Sequence, residues 1–282
     1  MSPRLHSASA ALLLLLLLTG CGQKEDKGNP TGPETPAAVP SNLPAVADSL
    51  KWVMVWNDEF NGKSLDEAKW SHVSWVPAGE DQPRRDGFWR PDAAVLNGDG
   101  QLMMLTYYDP VKKRYIDGAI HTLGKYEKLY GFFEARIQLQ KQPGHWSAFW
   151  LFNAQVHTVG DQGRDGTEVD IMEKISPKDD AVYHTLHWDG YEAAHQSVYK
   201  LPVIPGLREG WHTYAVWWSE SGYRFYIDGT ETWRTSAGGV CRNPLHILLS
   251  DEVGTWAGSI SSAALPDLWL VDFVRVYDLV KK

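Results

Sequence analysis

From residue 52 onward, apolar and polar positions alternate through much of the chain. The pattern is cleanest between Tyr130 and Leu139, where Phe133, Ala135, Ile137 and Leu139 share one parity and Glu134, Arg136 and Gln138 the other. Successive side chains of a β-strand point to opposite faces, so this stretch is predicted to be a strand with one face in a core. Trp52–Trp56 and Gln101–Tyr108 are similar β-prone runs. Further strands are predicted at 147–152, 167–174, 182–188, 196–201, 211–219, 222–227, 230–234, 244–250 and 268–277. Asp228-Gly229, between Tyr223–Ile227 and Thr230–Trp233, is a dipeptide that favours a tight hairpin turn. No run of ten or more residues has helical periodicity. Many strands at short spacing predict one all-β sandwich or barrel, with no internal repeat and no second domain.

One predicted strand carries three carboxylates in six residues: Glu168-Val169-Asp170-Ile171-Met172-Glu173. Strand parity puts Glu168 and Asp170 on one face and Glu173 on the other, unless one residue between Asp170 and Glu173 is bulged out. With that bulge all three acids face one groove and Val169 faces the core. Four effective intervals of ~3.3 Å would put the two Glu Cα atoms ~13 Å apart. Side chains leaning inward would bring the carboxyls to ~5–7 Å, against ~5–5.5 Å in retaining glycosidases and ~6.5–9.5 Å in inverting ones. The motif by itself also fits a solvated acidic edge or a Ca²⁺ site. A helix does not fit, because 168, 170 and 173 do not share an i, i+3, i+4 face.

The first fifty residues have a different composition. Arg4 precedes an apolar run from Ala10 to Leu18, too short to span a bilayer as a helix. Leu18-Thr19-Gly20-Cys21 resembles a bacterial lipoprotein signal, which implies cleavage of residues 1–20 and lipidation of Cys21; an ordinary secretory signal is the alternative. Gly22 lacks the acidic character associated with inner-membrane retention, so an outer-membrane or cell-surface anchor is expected. Residues 21–50 are rich in Pro, Gly and charge and are expected to form a flexible tether ahead of a domain at 51–282. The only cysteines are Cys21 and Cys241, so lipidation of the first leaves the second unpaired; a 21–241 disulfide is the other option. A net charge of −8 without a basic cluster argues against a nucleic-acid partner. The 14 Trp, 12 Tyr and 8 Phe are expected to divide between core and a ligand-binding platform.

From Trp52 to Tyr277 the chain resembles glycoside hydrolase family 16. The resemblance rests on Val55-Trp56-Asn57-Asp58-Glu59-Phe60-Asn61-Gly62, Tyr130–Arg136, His145-Trp146-Ser147-Ala148-Phe149-Trp150-Leu151, the acidic motif Glu168–Glu173 and Val271–Tyr277, in that order. It implies a β-jelly-roll sandwich of two antiparallel sheets with a concave sugar cleft, and retaining endo-hydrolysis of a β-linked polysaccharide. It also implies Glu168 as nucleophile, Glu173 as general acid/base and Asp170 as the group that tunes both, with no cofactor needed for catalysis. Crowded negative charge raises the pKa of at least one carboxyl, and a nucleophile must stay ionised. The resemblance also implies a structural Ca²⁺ near Glu59 and Asp272, for which a metal-free surface pair is the alternative.

Around the acids, alternation puts Trp146, Ala148 and Trp150 on one face. Trp146 is expected to stack on sugar, and Trp150 either to do so or to fill core. A hairpin centred near 178–179 would set His187 opposite Asp170, facing the cleft or serving as a structural histidine. Trp256 matches a family segment that lines the cleft. Ser147 stands where many members have Pro, and Ala93-Ala94 where Asn is common. Segment 80–90 and Arg164 are expected to form a solvated, charge-balanced surface, or else to meet an acidic galactan. Laminarin-type β-1,3-glucan is the expected substrate, with agarose-, porphyran- or carrageenan-type galactan the alternative. A binding protein that has lost hydrolysis and a structural envelope lipoprotein are the non-enzymatic options. The chain is expected to be a monomer whose partners are its glycan and a membrane.

Overall fold

A computed structural model describes residues 42–282; the leader, Cys21 and the tether up to residue 41 lie outside the described residues. The strands in order are β1 (Leu50–Asp58), β2 (Ser71–His72), β3 (Gln82–Arg84), β4 (Gly87–Trp89), β5 (Ala94–Leu96), β6 (Leu102–Asp109), β7 (Arg114–Asp117), β8 (Ala119–His121), β9 (Glu127–Lys128) and β10 (Gly131–Gln138). There follow β11 (His145–Phe152), β12 (Glu168–Lys174), β13 (Tyr183–Trp188), β14 (Gln196–Lys200), β15 (His212–Ser219), β16 (Gly222–Ile227), β17 (Thr230–Thr235), β18 (Leu245–Val253) and β19 (Asp267–Lys281). Among the described residues the only helical pieces are short 3₁₀ turns. Every long predicted strand is present; those the pattern missed are two to four residues long, too short to show a period.

Two sheets face each other. The eleven-stranded sheet runs β17-β16-β15-β10-β19-β6-β7-β4-β3, with β1 and β5 paired to β19 and β6. The eight-stranded sheet runs β14-β13-β12-β11-β18-β8-β2, with β9 on β18. Pairing is antiparallel, as expected, with one short parallel contact of β4 on β7. Phe133, Ala135 and Ile137 of β10, Phe149 and Leu151 of β11, and Val216 and Trp218 of β15 meet in the layer between them. This is the interdigitation that holds aligned sandwiches together.

The far face of β10 is also covered, contrary to its polar pattern. Residues 42–49, assigned by composition to the tether, lie against it. Leu43 and Val46 pack on the cluster of Trp52, Phe132, Tyr226 and Tyr277. The Trp52 indole donates to the Pro44 carbonyl at 2.8 Å, and Asn42 Nδ2 to Thr213 Oγ1 at 2.8 Å. The domain boundary therefore falls earlier than residue 51, because these apolar side chains gain burial there. Beneath them Glu134 is 1% exposed with Oε2 unpartnered, and burial pushes its carboxyl up to about 7.

Candidate active site

In the eight-stranded sheet β12 lies between β13 and β11, and its irregularity decides what faces out. Opposite it on β11, Phe149 pairs with Met172 while the next residue, Trp150, pairs with Asp170. The same shift appears on β13, between Asp170 and Glu173. The extra residue is a β-bulge, and it sends Ile171 and Met172, both 0% exposed, into the core together with Val169. Glu168, Asp170 and Glu173 are thereby left on the outer face, lining a cavity of about 760 Å³.

The three acids have different surroundings. Glu168 Oε2 accepts a 2.5 Å hydrogen bond from the Tyr191 hydroxyl. Burial raises its carboxyl to about 7, with Tyr191 and the Arg84 charge holding it down. Glu173 has only a 3.3 Å bond from Thr185 Oγ1, and burial plus the Glu168 charge lift it to about 8. Asp170 is 4% exposed with Oδ2 unpartnered; burial and its two glutamate neighbours push it well above the ordinary carboxylate range. The site thus holds one carboxyl better suited to staying ionised and another better suited to holding a proton, the division that two-carboxylate chemistry uses.

His187 pairs with Glu168 across the ladder, not with Asp170, so the predicted register is two residues out. The reason is the turn: at Glu168–His187 the ladder is centred between residues 177 and 178. Its side chain still reaches the site. Nε2 lies 3.4 Å from Asp170 and 3.9 Å from Glu168, and Nδ1 shares a 2.9 Å hydrogen bond with His195 Nε2. Burial and His195 push the ring down to about 4, so it is a neutral imidazole near pH 7. Among the described residues, Glu168, Asp170 and His187 are also the group whose ligand atoms approach within 4.8 Å as a metal set would.

Trp146, Trp150 and Trp256 all line the cavity. Trp146 is nearly buried and stands edge-on to Trp256, centroids 5.4 Å apart; Trp256 is 51% exposed and free to stack. Trp150, 9% exposed, packs on Ala148 and Leu248 in a small cluster apart from the main core, and its indole donates to Ser250 Oγ at 3.1 Å. Ser147 points the other way and donates to Gln140 at 2.6 Å, so it shapes no sugar contact. Glu59 is gripped by Arg275 at 2.7–2.8 Å and Asp272 by Arg136 at 2.7 Å. Carboxylates engaged with guanidinium groups fit ion pairs and do not fit a hard-cation cage, so no structural calcium site forms from these two.

Segment 80–90 is not a solvated loop. Its hairpin β3–β4 brings Arg84 and Arg85 into the cleft, whereas Arg164 packs beside Gln162 and Gly239 and lines neither cavity described here. A second cavity of about 930 Å³, walled by Trp75, Trp89 and Phe152, adjoins the first and shares Glu168, Tyr191 and both arginines with it. Tyr191 is the site residue that sequence reasoning missed, whereas Arg84 and Arg85 belong to the segment for which contact with an acidic galactan is the alternative to a solvated surface. The Asp189-Gly190-Tyr191 turn after a strand paired to Glu168 is the signal that would have found it.

The sequence profile described as Glycosyl hydrolases family 16 matches residues 86–265, more than half of the chain. The keratan-sulfate endo-1,4-β-galactosidase of Sphingobacterium multivorum is 29% identical over 246 residues, covering 80% of this chain and 55% of that protein. The β-glucanase of Rhodothermus marinus is 28% identical over 250 residues, covering 82% and 86%. The chain therefore spans little more than half of the first relative and most of the second. In fold it is similar to the endo-β-1,3-glucanase of Pyrococcus furiosus, with TM-score 0.69, 24% identity and coverage of 83% and 97%.

Proposed function

The chain belongs to glycosyl hydrolase family 16, and from that membership and the geometry of β12 we propose that it is a retaining endo-hydrolase of a β-linked polysaccharide. The observation that carries the proposal is the bulge between Asp170 and Glu173, which gives three carboxylates one outward face. In this reading Glu168 attacks the anomeric carbon and Glu173 protonates the departing oxygen. Glu173 then takes a proton from the water that releases the sugar. Asp170, between them, keeps their proton affinities apart. Trp256, steadied by the edge-on Trp146, takes the apolar face of a sugar ring, and the adjoining cavities that share Glu168 suit cleavage within a chain.

A laminarin-type β-1,3-glucan is the first substrate proposed, supported by the likeness to the R. marinus β-glucanase. A β-galactan is the second reading; it is favoured by the arginine pair in the cleft and by the likeness to the S. multivorum galactosidase. The test is release of reducing ends from laminarin, lichenan, agarose and keratan by the wild type and by Glu168→Gln. Proton NMR of the first product should show the β anomer. Initial α product would overturn Glu168 as nucleophile, and glycan binding without cleavage would make the protein a lectin on this fold.

We also propose export and anchoring through lipid on Cys21, at the outer membrane or cell surface, supported by Leu18-Thr19-Gly20-Cys21. Cys21→Ala should abolish labelling by a palmitate analogue and move the protein to the soluble fraction.

A further inference from the structure

The hairpin β3–β4 is built to hold two guanidinium groups over the catalytic sheet. Its tip residue Arg85 has φ 52°, a left-handed conformation disfavoured for a side chain of this size. The hairpin is seated firmly. The Asp86 amide donates to the Val253 carbonyl at 3.1 Å, and a Cβ on Gly87 would lie 2.9 Å from Asp117 Oδ2. One buried carboxylate, Glu252 of β18, steadies both arginines. Its Oε1 takes Arg84 Nε and Nη2 at 2.8 and 2.5 Å, and its Oε2 takes Arg85 Nε at 3.2 Å. Arg84 also lies over the Trp89 ring at 4.9 Å.

Glu252 engages two nitrogens of Arg84 but only Nε of Arg85, so the free donors of the pair are on Arg85. That side chain is 60% exposed, and its two terminal nitrogens have no protein acceptor among the described residues. Arg85 lines both cavities beside Glu168. A planar fork with free donors matches an oxyanion that it can grip through two hydrogen bonds.

We infer that Arg85, held by Glu252 and backed by Arg84, is a subsite for an anionic substituent, a sulfate ester or a carboxylate, on a sugar bound next to the catalytic acids. The inference rests on the glycan-hydrolase reading for its ligand but is tested by binding alone. Isothermal titration of the Glu168→Gln protein, silenced for hydrolysis, would use laminarin and keratan oligosaccharides in unsubstituted, sulfated and carboxymethylated forms. On at least one backbone an anionic form should bind about tenfold or more tightly than the unsubstituted one. Adding Arg85→Ala should erase that preference and leave the unsubstituted affinity within about twofold, while Arg85→Lys should keep part of it.

Equal binding of charged and uncharged forms, or a preference that survives Arg85→Ala, overturns the inference. Gain with sulfate alone or carboxymethyl alone identifies the group recognised. Should the alanine variant melt early, Arg85→Gln gives the same comparison with the side-chain stem retained. A role limited to balancing the catalytic carboxylates predicts something else: with Glu168 otherwise intact, Arg85→Ala would lower kcat/KM equally on charged and uncharged substrates. If the wild type cleaves no glycan yet the binding preference holds, the hydrolase reading fails and the subsite stands.

Discussion

At the residue scale, the two glutamates differ mainly in who donates to them. Glu168 and Glu173 both line the outer cavity and both are raised by burial; what separates them is the Tyr191 hydroxyl and the Arg84 charge on Glu168. A donor that favours the ionised form lowers a carboxyl's pKa, and a hydrogen bond to a charged group contributes about 1.5–3 kcal/mol. Tyr191→Phe should therefore raise the pKa of Glu168 and move the acidic limb of kcat/KM upward by about 1–2 pH units. Activity would fall about tenfold or more near pH 6 and recover toward alkaline pH. A loss of the same size at every pH would mean that Tyr191 merely packs the 189–195 turn. Glu173→Gln tests the other half of the pair. It should cost about 10²–10⁴ on polysaccharide, and far less on an aryl glycoside whose leaving group needs no proton. Equal losses on the two substrates would remove Glu173 as the acid.

At the element scale, the site is a consequence of one extra residue in β12. Deleting Met172 would remove the bulge and restore strict alternation with Glu168, Asp170 and Glu173 still on the outer face and Lys174 still buried. Losing a fully buried side chain should lower stability by about 2–5 kcal/mol, read as a drop in melting temperature, while glycan cleavage persists at a reduced rate. A folded deletion variant with no cleavage at all would show that the shared face of the acids is not enough and that the spacing set by the bulge is also needed. The bulge was legible because parity alone sets Glu173 against Asp170, and only an insertion reconciles them. Trp146, Trp150 and the core pair Phe149 and Leu151 were legible for the same reason. Register was less so, since His187 could be placed only by assuming where an irregular turn is centred. For the arginines the choice between solvated surface and galactan contact stayed open: Arg84 meets Glu252 across 168 positions of sequence, and nothing local to Pro83-Arg84-Arg85-Asp86 says which sheet the hairpin overhangs. Glu134 misled through its parity, because what covers it is a segment whose composition resembles a tether.

At the scale of the whole molecule, one end of the sandwich is tied by a buried charge network that the chemistry does not use. His145, 0% exposed, has Nδ1 at 2.9 Å from Asp251 and Nε2 at 3.1 Å from Asp267, and Thr106 Oγ1 donates to Asp251 at 2.9 Å. With a carboxylate at each ring nitrogen, both nitrogens act as donors and the ring is an imidazolium. Burial opposes that charge, but Asp251 and Asp267 outweigh it and raise the ring to about 10. A folded-state pKa above the unfolded value of about 6.5 gives stability that is complete below pH 6.5 and lost as pH climbs toward 10. The raised carboxyls of Glu168 and Glu173 lose stability in the same direction up to about 7 and 8, while Lys174, lowered to about 8, recovers some above that pH. Comparing the wild type with His145→Gln cancels those shared contributions. The gap in melting temperature should be widest near pH 6 and shrink toward pH 10, by on the order of 10 °C for a contribution of several kcal/mol in a domain of this size. A gap that stays constant with pH would mean that His145 is neutral and acts by shape alone, in which case the ends of β11, β18 and β19 would be joined by packing without an ion pair.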